Sequence, residues 1–496
     1  HQRDIKNETE RTRVMAVLEK LEPSRVFYYF EELTKIPHGS HNTKQISDYL
    51  VSFAKEHNLK YRQDEANNVI IWKAASAGYE DAPTVILQGH CDMVCEKTPG
   101  SAHDFAKDPL ELLIDGDYVT AKDTTLGGDD GIAVAYSLAI LEDNTLKHPA
   151  LEVVITTDEE VGLLGAAALD MSDLKGTYLI NMDSEEEGSL CVGCAGGLRA
   201  KTELEVKYIS VQGIKLNIIV DGLAGGHSGA EIDKNRANAN KVMGRFLHTL
   251  SEESSYLIAG LEGGTKDNVI TKHSYAQIVV EPEEEAKVKE IAERVEKELR
   301  SEYSGSDEGI SIHCENAGRG EFQVLHPVSG EKAVFLLNFM PWGIQKMSGN
   351  IPGLVETSVN PGIMKLDEDE FLLEASVRSS VGSAKHAVSE KIAYLAEFLG
   401  GTCTIFGDYP AWEYRKDSKL RDLMQDTFKE MFGKEPHVGA IHAGLECGLF
   451  FEKKPELDSV SFGPDMKDIH TTDEKLSISS VQRMWKYLLT ILERIR

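Results

Sequence analysis

Apolar positions recur every three to four residues in SRVFYYFEELTKI (24–36) and NTKQISDYLVSFAKEHN (42–58), which predicts two amphipathic helices. Short unbroken apolar runs follow. NVIIWKA (68–74) and TVILQGH (84–90) predict strands, and ELLIDGDYV (111–119) predicts a hairpin turning at Asp-Gly. DGIAVAYSLAILEDN (130–144) predicts a helix, and LEVVITT (151–157) and TYLINMD (177–183) predict two more strands. Strands that alternate with helices imply an α/β layer, a mostly parallel sheet flanked by helices.

The pattern changes near residue 197. Longer alternating runs appear, LRAKTELEVKYI, IKLNIIVDG and SYAQIVVEP, separated by predicted helices near 234–251 and 283–303. This reads as an α+β domain. After EASVRSS (374–380) the α/β signature returns, with helices at 383–401 and 417–432 and a last helix over 475–496. The expected organisation is a first domain over 1–196, an inserted domain over 197–381, and the second part of the first domain over 382–496.

A chain of 496 residues, 41% hydrophobic, is too long for one core and fits this division. Asp and Glu total 82 against 53 Lys and Arg, a formal charge of −29. That balance argues against nucleic acid or an anionic membrane surface as partner. No apolar run approaches the ~20 residues of a membrane span. The charged start, HQRDIKNETERTR, lacks the apolar core of a signal peptide. Seven cysteines in this length make no disulfide framework, so a reducing cytoplasm is expected. Cys191 and Cys194 have a spacing that can hold zinc, but on SLCVGCAGG they read better as small buried residues.

Candidate chemistry sits where predicted strands end. TVILQGHCDMV runs from an apolar strand into His90 and Asp92, VVITTDEEVG ends on Asp158, Glu159 and Glu160, and YLINMDSEEEG ends on Asp183. TLGGDDG carries Asp129 and Asp130 into a helix, and DIHTTDE places His470 after the predicted strand DSVSFG. Taken singly, each has a plainer reading: a solvated strand end, a helix cap, a surface histidine. Together they supply oxygen and nitrogen ligands at the carboxyl ends of strands in a parallel sheet, where ligands converge. Such donors without thiolates suit zinc, manganese or cobalt.

The five motifs, in order, resemble those of the co-catalytic di-zinc peptidases, the family of carboxypeptidase G, peptidase T and carnosinase. IPHGS (36–40), GLAGGHSGAEI (222–232), GDYPAWEY (407–414) and IHAGLECGLF (441–450) are similar to the branch that cleaves dipeptides ending in histidine. The resemblance implies two divalent ions, most naturally zinc. Asp129 would bridge them, His90 and Asp183 would complete one site, and Glu160 and His470 the other. Asp92 would orient His90. Glu159 would be the general base that deprotonates a bridging water and passes the proton to the leaving amine. His227 would stabilise the oxyanion from a lid, formed by the inserted domain. Asn268, Arg378 and Gly444 would bind substrate, with NVIT departing from the family's commoner Asn-x-x-Pro. The resemblance also implies a homodimer through the lid and a cis peptide between Asp129 and Asp130. Gly127 and Gly128 would ease the chain into that bend.

The implied activity is hydrolysis of unblocked dipeptides, preferentially those ending in histidine. Two alternatives accompany it: an amidohydrolase that removes acyl groups from amino acids, and a non-catalytic metal-binding or assembly protein. An intact Glu159 argues against the latter.

Overall fold

The computed structural model describes residues 16–496, so the charged N-terminal stretch lies outside the described residues. The chain forms two compact units. Of the described residues, the first comprises 16–192, 415–439 and 449–496, and the second comprises 193–414 and 440–448.

The first unit is built on an eight-stranded sheet. At its centre strands Leu151–Thr156, Val85–His90, Tyr178–Asn181 and Asp458–Ser461 run parallel. Lys60–Gln63 and Val69–Lys73 extend one side antiparallel, and Ser189–Cys194 pairs antiparallel on the other. The sheet is therefore parallel across its centre only. Strands Val85–His90 and Leu151–Thr156 are buried at every position, which is why they read as unbroken apolar runs rather than alternating ones.

Helix Gly128–Glu142 is apolar all round and buried over nearly its whole length. It packs against strand Val85–His90 and helix Ser24–Thr34, whose Val26, Phe27, Phe30 and Leu33 are buried. Its approach to the strand depends on Gly89. A Cβ there would come within 2.5 Å of Ala133 Cβ and 2.6 Å of Asp130 Oδ2. The glycine thus lets the start of the helix sit directly over the strand end. At the other end of the helix, the buried Lys73 ammonium donates to the carbonyls of Ile140, Leu141 and Asp143, satisfying groups the last turn leaves open.

A small four-stranded sheet fixes the C-terminal segment. Met466–Lys467 and Lys475–Ser477 pair with each other, and the latter pairs with Tyr118–Ala121 of the hairpin, whose two turn residues are Gly116 and Asp117, one position beyond the expected Asp-Gly. His470 lies in the loop between the paired strands.

The second unit carries a nine-stranded sheet, antiparallel at every recorded pairing. Helices Ala239–Glu253, Glu285–Glu302 and Pro327–Phe339 pack on it, and its core includes Phe246, Leu337, Phe371 and Val377. Residues 382–414 differ from expectation. Helix Gly382–Phe398 and strand Thr402–Tyr409 belong here, not with the first unit. The reason is pairing: Thr402–Tyr409 adds to the edge of the sheet beside Gly196–Glu205, and the helix packs on these two strands. The helix expected from 234 starts at Ala239, because the Asn238 side chain accepts from the N–H groups of Asn240 and Lys241 and caps it there. Among the described residues no helix is long and apolar enough to cross a membrane.

Candidate metal centre

His90 closes strand Val85–His90 and is fully buried. Its Nδ1 lies 3.2 Å from Asp92 Oδ1. Its Nε2 lies 3.0 Å from Asp129 Oδ1, 3.7 Å from Asp183 Oδ1 and 3.8 Å from Glu159 Oε2. Asp129 turns its other oxygen to the C-terminal loop, with Oδ2 3.1 Å from His470 Nε2. The same His470 nitrogen lies 3.0 Å from Glu160 Oε1. One carboxylate, Asp129, therefore faces two histidines brought from opposite ends of the chain.

The local backbone explains the aim of these side chains. Gly127 has a φ of +70° and turns the chain into the helix start, and the peptide between Asp129 and Asp130 is cis, as expected. Asp158 and His470 also have positive φ, 51° and 63°. The first is a turn residue tolerant of that region, held by the N–H of His41, which donates to its carboxylate. Asp92 accepts from Ser40 Oγ and from the N–H groups of both Glu159 and Glu160. It thus ties His90 to the acidic turn in one contact set.

The electrostatics are those of carboxylates crowded around two imidazoles. Burial opposes a charge on His90, yet Asp183, Asp129 and Asp92 outweigh it and hold its pKa well above the ordinary value. Bonding to Asp129 and Glu160 pushes His470 up to about 11. Burial would raise Asp129, but the two histidines hold it well below the usual carboxylate range. Burial, then repulsion from Asp129, pushes Glu185 up to about 7. Such a concentration of negative charge favours any cation that can enter it.

Among the described residues three groups could hold a metal ion: His90, Asp129 and Asp183; Asp129, Glu160 and His470; and His90, Glu159 and Glu160. Within each, the donor atoms lie within 4.8 Å of one another, and no cysteine takes part. The five expected ligands are all brought together. Geometry alone also admits Glu159 as a ligand.

The remaining expected residues lie in the second unit. His227 Nδ1 accepts from the N–H groups of Gly229 and Ala230, 3.1 and 3.0 Å away. Those bonds leave Nε2 as the protonated, donating nitrogen of a neutral ring. Burial, then the nearby Arg378 charge, lowers its pKa and keeps it neutral. Arg378 makes no ion pair among the described residues. Its Nη1 donates to Tyr409 Oη at 3.3 Å, and its Nε is buried without a partner. Gly444 packs against the Tyr409 ring. Asn268 is half-buried, and its backbone carbonyl accepts from Ser228 N.

Several residues of these surroundings were not singled out from sequence. Tyr409 and His442 lie inside quoted motifs, and His442 Nε2 is 2.7 Å from Ser358 Oγ. Ser40 likewise lies in IPHGS. Glu474 gave no signal beyond its place in DIHTTDE.

Residues 86–494 match the family described as peptidase family M20/M25/M40. The chain is 35% identical over 483 residues to the cytosol non-specific dipeptidase of Escherichia coli, covering 97% of this chain and 99% of that protein. The crystal structure of aminoacylhistidine dipeptidase from Vibrio alginolyticus matches with a TM-score of 0.93 at 35% identity, covering 97% of this chain and 98% of that one. Aminopeptidase PepT from Bacillus cereus, 16% identical with a TM-score of 0.54 over 96% of this chain and 99% of its own, shares the fold.

Proposed function

The chain belongs to peptidase family M20/M25/M40, and on that footing we propose that it is a metal-dependent dipeptidase that hydrolyses unblocked dipeptides, with preference for a C-terminal histidine. The observation that carries the reading is Asp129, with one oxygen on His90 and the other on His470. A carboxylate so placed suits two ions at once.

The residues fit such a pair. His90, Asp129 and Asp183 would hold one ion, and Asp129, Glu160 and His470 the other. Zinc suits this donor set best, with manganese and cobalt as alternatives. When bound, the ions supply Lewis acidity, which acidifies water and polarises a peptide carbonyl. The chain's own groups do the rest. Glu159 takes a proton from the attacking water and delivers it to the leaving nitrogen. Asp92 fixes the His90 ring, so that Nε2 presents its lone pair. His227 donates from Nε2 to the oxyanion. Arg378, with no carboxylate of its own, receives the substrate carboxylate, with Asn268 and the N–H of Gly444 as further substrate contacts.

The name of the Vibrio alginolyticus relative supports the preference for histidine, and the name of the Escherichia coli relative supports a broader range and a cytosolic location. Dimerisation through the inserted domain draws support from the exposed Val328, Phe335 and Phe339 of helix Pro327–Phe339.

A panel of dipeptides that varies the C-terminal residue, run on zinc-reconstituted protein, tests the reading. Histidine should be released from aminoacyl- and β-alanyl-histidine but not from N-acetyl-histidine. Release from the acetylated compound alone would make the protein a deacylase. A second expectation concerns His227. Replacement by Ala should lower kcat by about 10²–10³-fold with little change in KM. Steady-state kinetics that show a raised KM and an unchanged kcat would return His227 to substrate positioning.

A further inference from the structure

We infer that Glu474 is a positioning residue for the metal centre, one that sets the bridging carboxylate Asp129 and the ligand His470 relative to each other. The inference rests on the two-ion reading above.

Glu474 is buried, and its carboxylate accepts from four consecutive backbone N–H groups. Oε2 takes those of Leu126 and Gly127 at 2.7 and 3.0 Å, and Oε1 those of Gly128 and Asp129 at 3.0 and 3.3 Å. Successive N–H groups turned to one side form a concave anion site, and an ionised carboxylate, an acceptor only, can meet all four. This loop delivers Asp129. On either side of these four donors, Thr125 N donates to the Glu96 carbonyl and the Gly127 carbonyl accepts from Gly131 N.

Glu474 also stands four residues beyond His470, and its N–H donates to the Thr471 carbonyl across a tight turn. The next residue, Lys475, pairs with Thr120 in the small sheet. A closed circuit results. It runs from the Asp129 carboxylate to His470, along residues 471–473 to Glu474, and back through the carboxylate to Asp129 N. Two ligands that come from segments more than 300 residues apart thereby share one anchor. The anchor belongs to none of the groups that could hold an ion, so it acts through Asp129 and His470.

Glu474→Gln tests this. The amide offers one acceptor oxygen and turns an NH₂ group towards N–H donors, so the loop loses its matched partner while side-chain size is kept. The control is Glu152→Gln. Glu152 is also a buried carboxylate that accepts backbone N–H groups, those of Lys175 and Gly176, and it belongs to none of the groups that could hold an ion. Cobalt(II) binding is followed by its visible d–d absorption, and the melting temperature of the metal-free proteins is recorded alongside. Glu474→Gln should bind cobalt about 10–100-fold more weakly than the parent, with an altered band shape. Glu152→Gln should lower the melting temperature and leave the cobalt isotherm in place. Should Glu474→Gln fail to fold, Glu474→Asp takes its place; it keeps the charge on a shorter arm and should show a smaller shift in the same direction. Superimposable isotherms for parent and Glu474 variant, or an equal shift in the Glu152 control, would overturn the inference alone. A parent protein that takes up no cobalt would overturn the two-ion reading itself.

Discussion

Glu159→Gln is expected to keep its full metal content and to lose turnover by about 10²–10⁴-fold, the range a general base contributes. The argument is one of direction. Glu159 and Glu160 are neighbours in one turn, and Asp92 accepts from the N–H groups of both. Glu160 reaches His470 at 3.0 Å, whereas the nearest Glu159 oxygen stands 3.8 Å from His90 Nε2. On the proposed reading Glu160 is the ligand and Glu159 the group that addresses water beside the ions. Glutamine matches glutamate in shape but cannot accept the proton. Metal analysis of the purified variant, together with its kcat on an aminoacyl-histidine dipeptide, separates the two roles. Loss of an ion along with activity would mean that Glu159 is a ligand, an arrangement the His90, Glu159 and Glu160 group also permits.

Part of this centre was legible in the sequence because His90, the acidic turn with Glu160, and Asp183 each come at or just after the end of a largely buried strand. TVILQGH is apolar until it reaches His90, and the break in pattern is itself the signal. LEVVITT before the acidic turn and TYLINMD before Asp183 behave alike. The cis bond at Asp129–Asp130 followed from the family likeness rather than from any periodicity.

What was not legible depends on long-range pairing. The helix over 382–398 and the strand over 402–409 have the local pattern of an α/β repeat, and nothing in that pattern reveals that the strand pairs with Gly196–Glu205 some 200 residues earlier. The antiparallel flanks of the first sheet escaped notice for the same reason, since Val69–Lys73 has the same buried character whichever way its neighbour runs. Glu474 was invisible on different grounds. An acidic residue in a polar loop looks solvated until the four N–H groups that meet it are in place.

Removal of the metal is expected to have an effect comparable in size to loss of the base. Without ions, water keeps its ordinary acidity and the carbonyl its ordinary polarity. Lewis-acid stabilisation is worth several kcal/mol, and each ~1.4 kcal/mol is tenfold in rate, so turnover should fall by about 10³-fold or more. The cluster should nonetheless persist, since Asp92, Ser40 and the backbone of the acidic turn hold one another directly. Activity should therefore return when ions are restored, without refolding.

The most direct measurement is a zinc titration of chelator-stripped protein, with histidine release from an aminoacyl-histidine dipeptide as the readout. Turnover should start near zero and rise to a plateau at two ions per chain, because Asp129 serves both sites. Undiminished turnover in the stripped protein, or a plateau reached at a single ion, would contradict the shared-carboxylate centre.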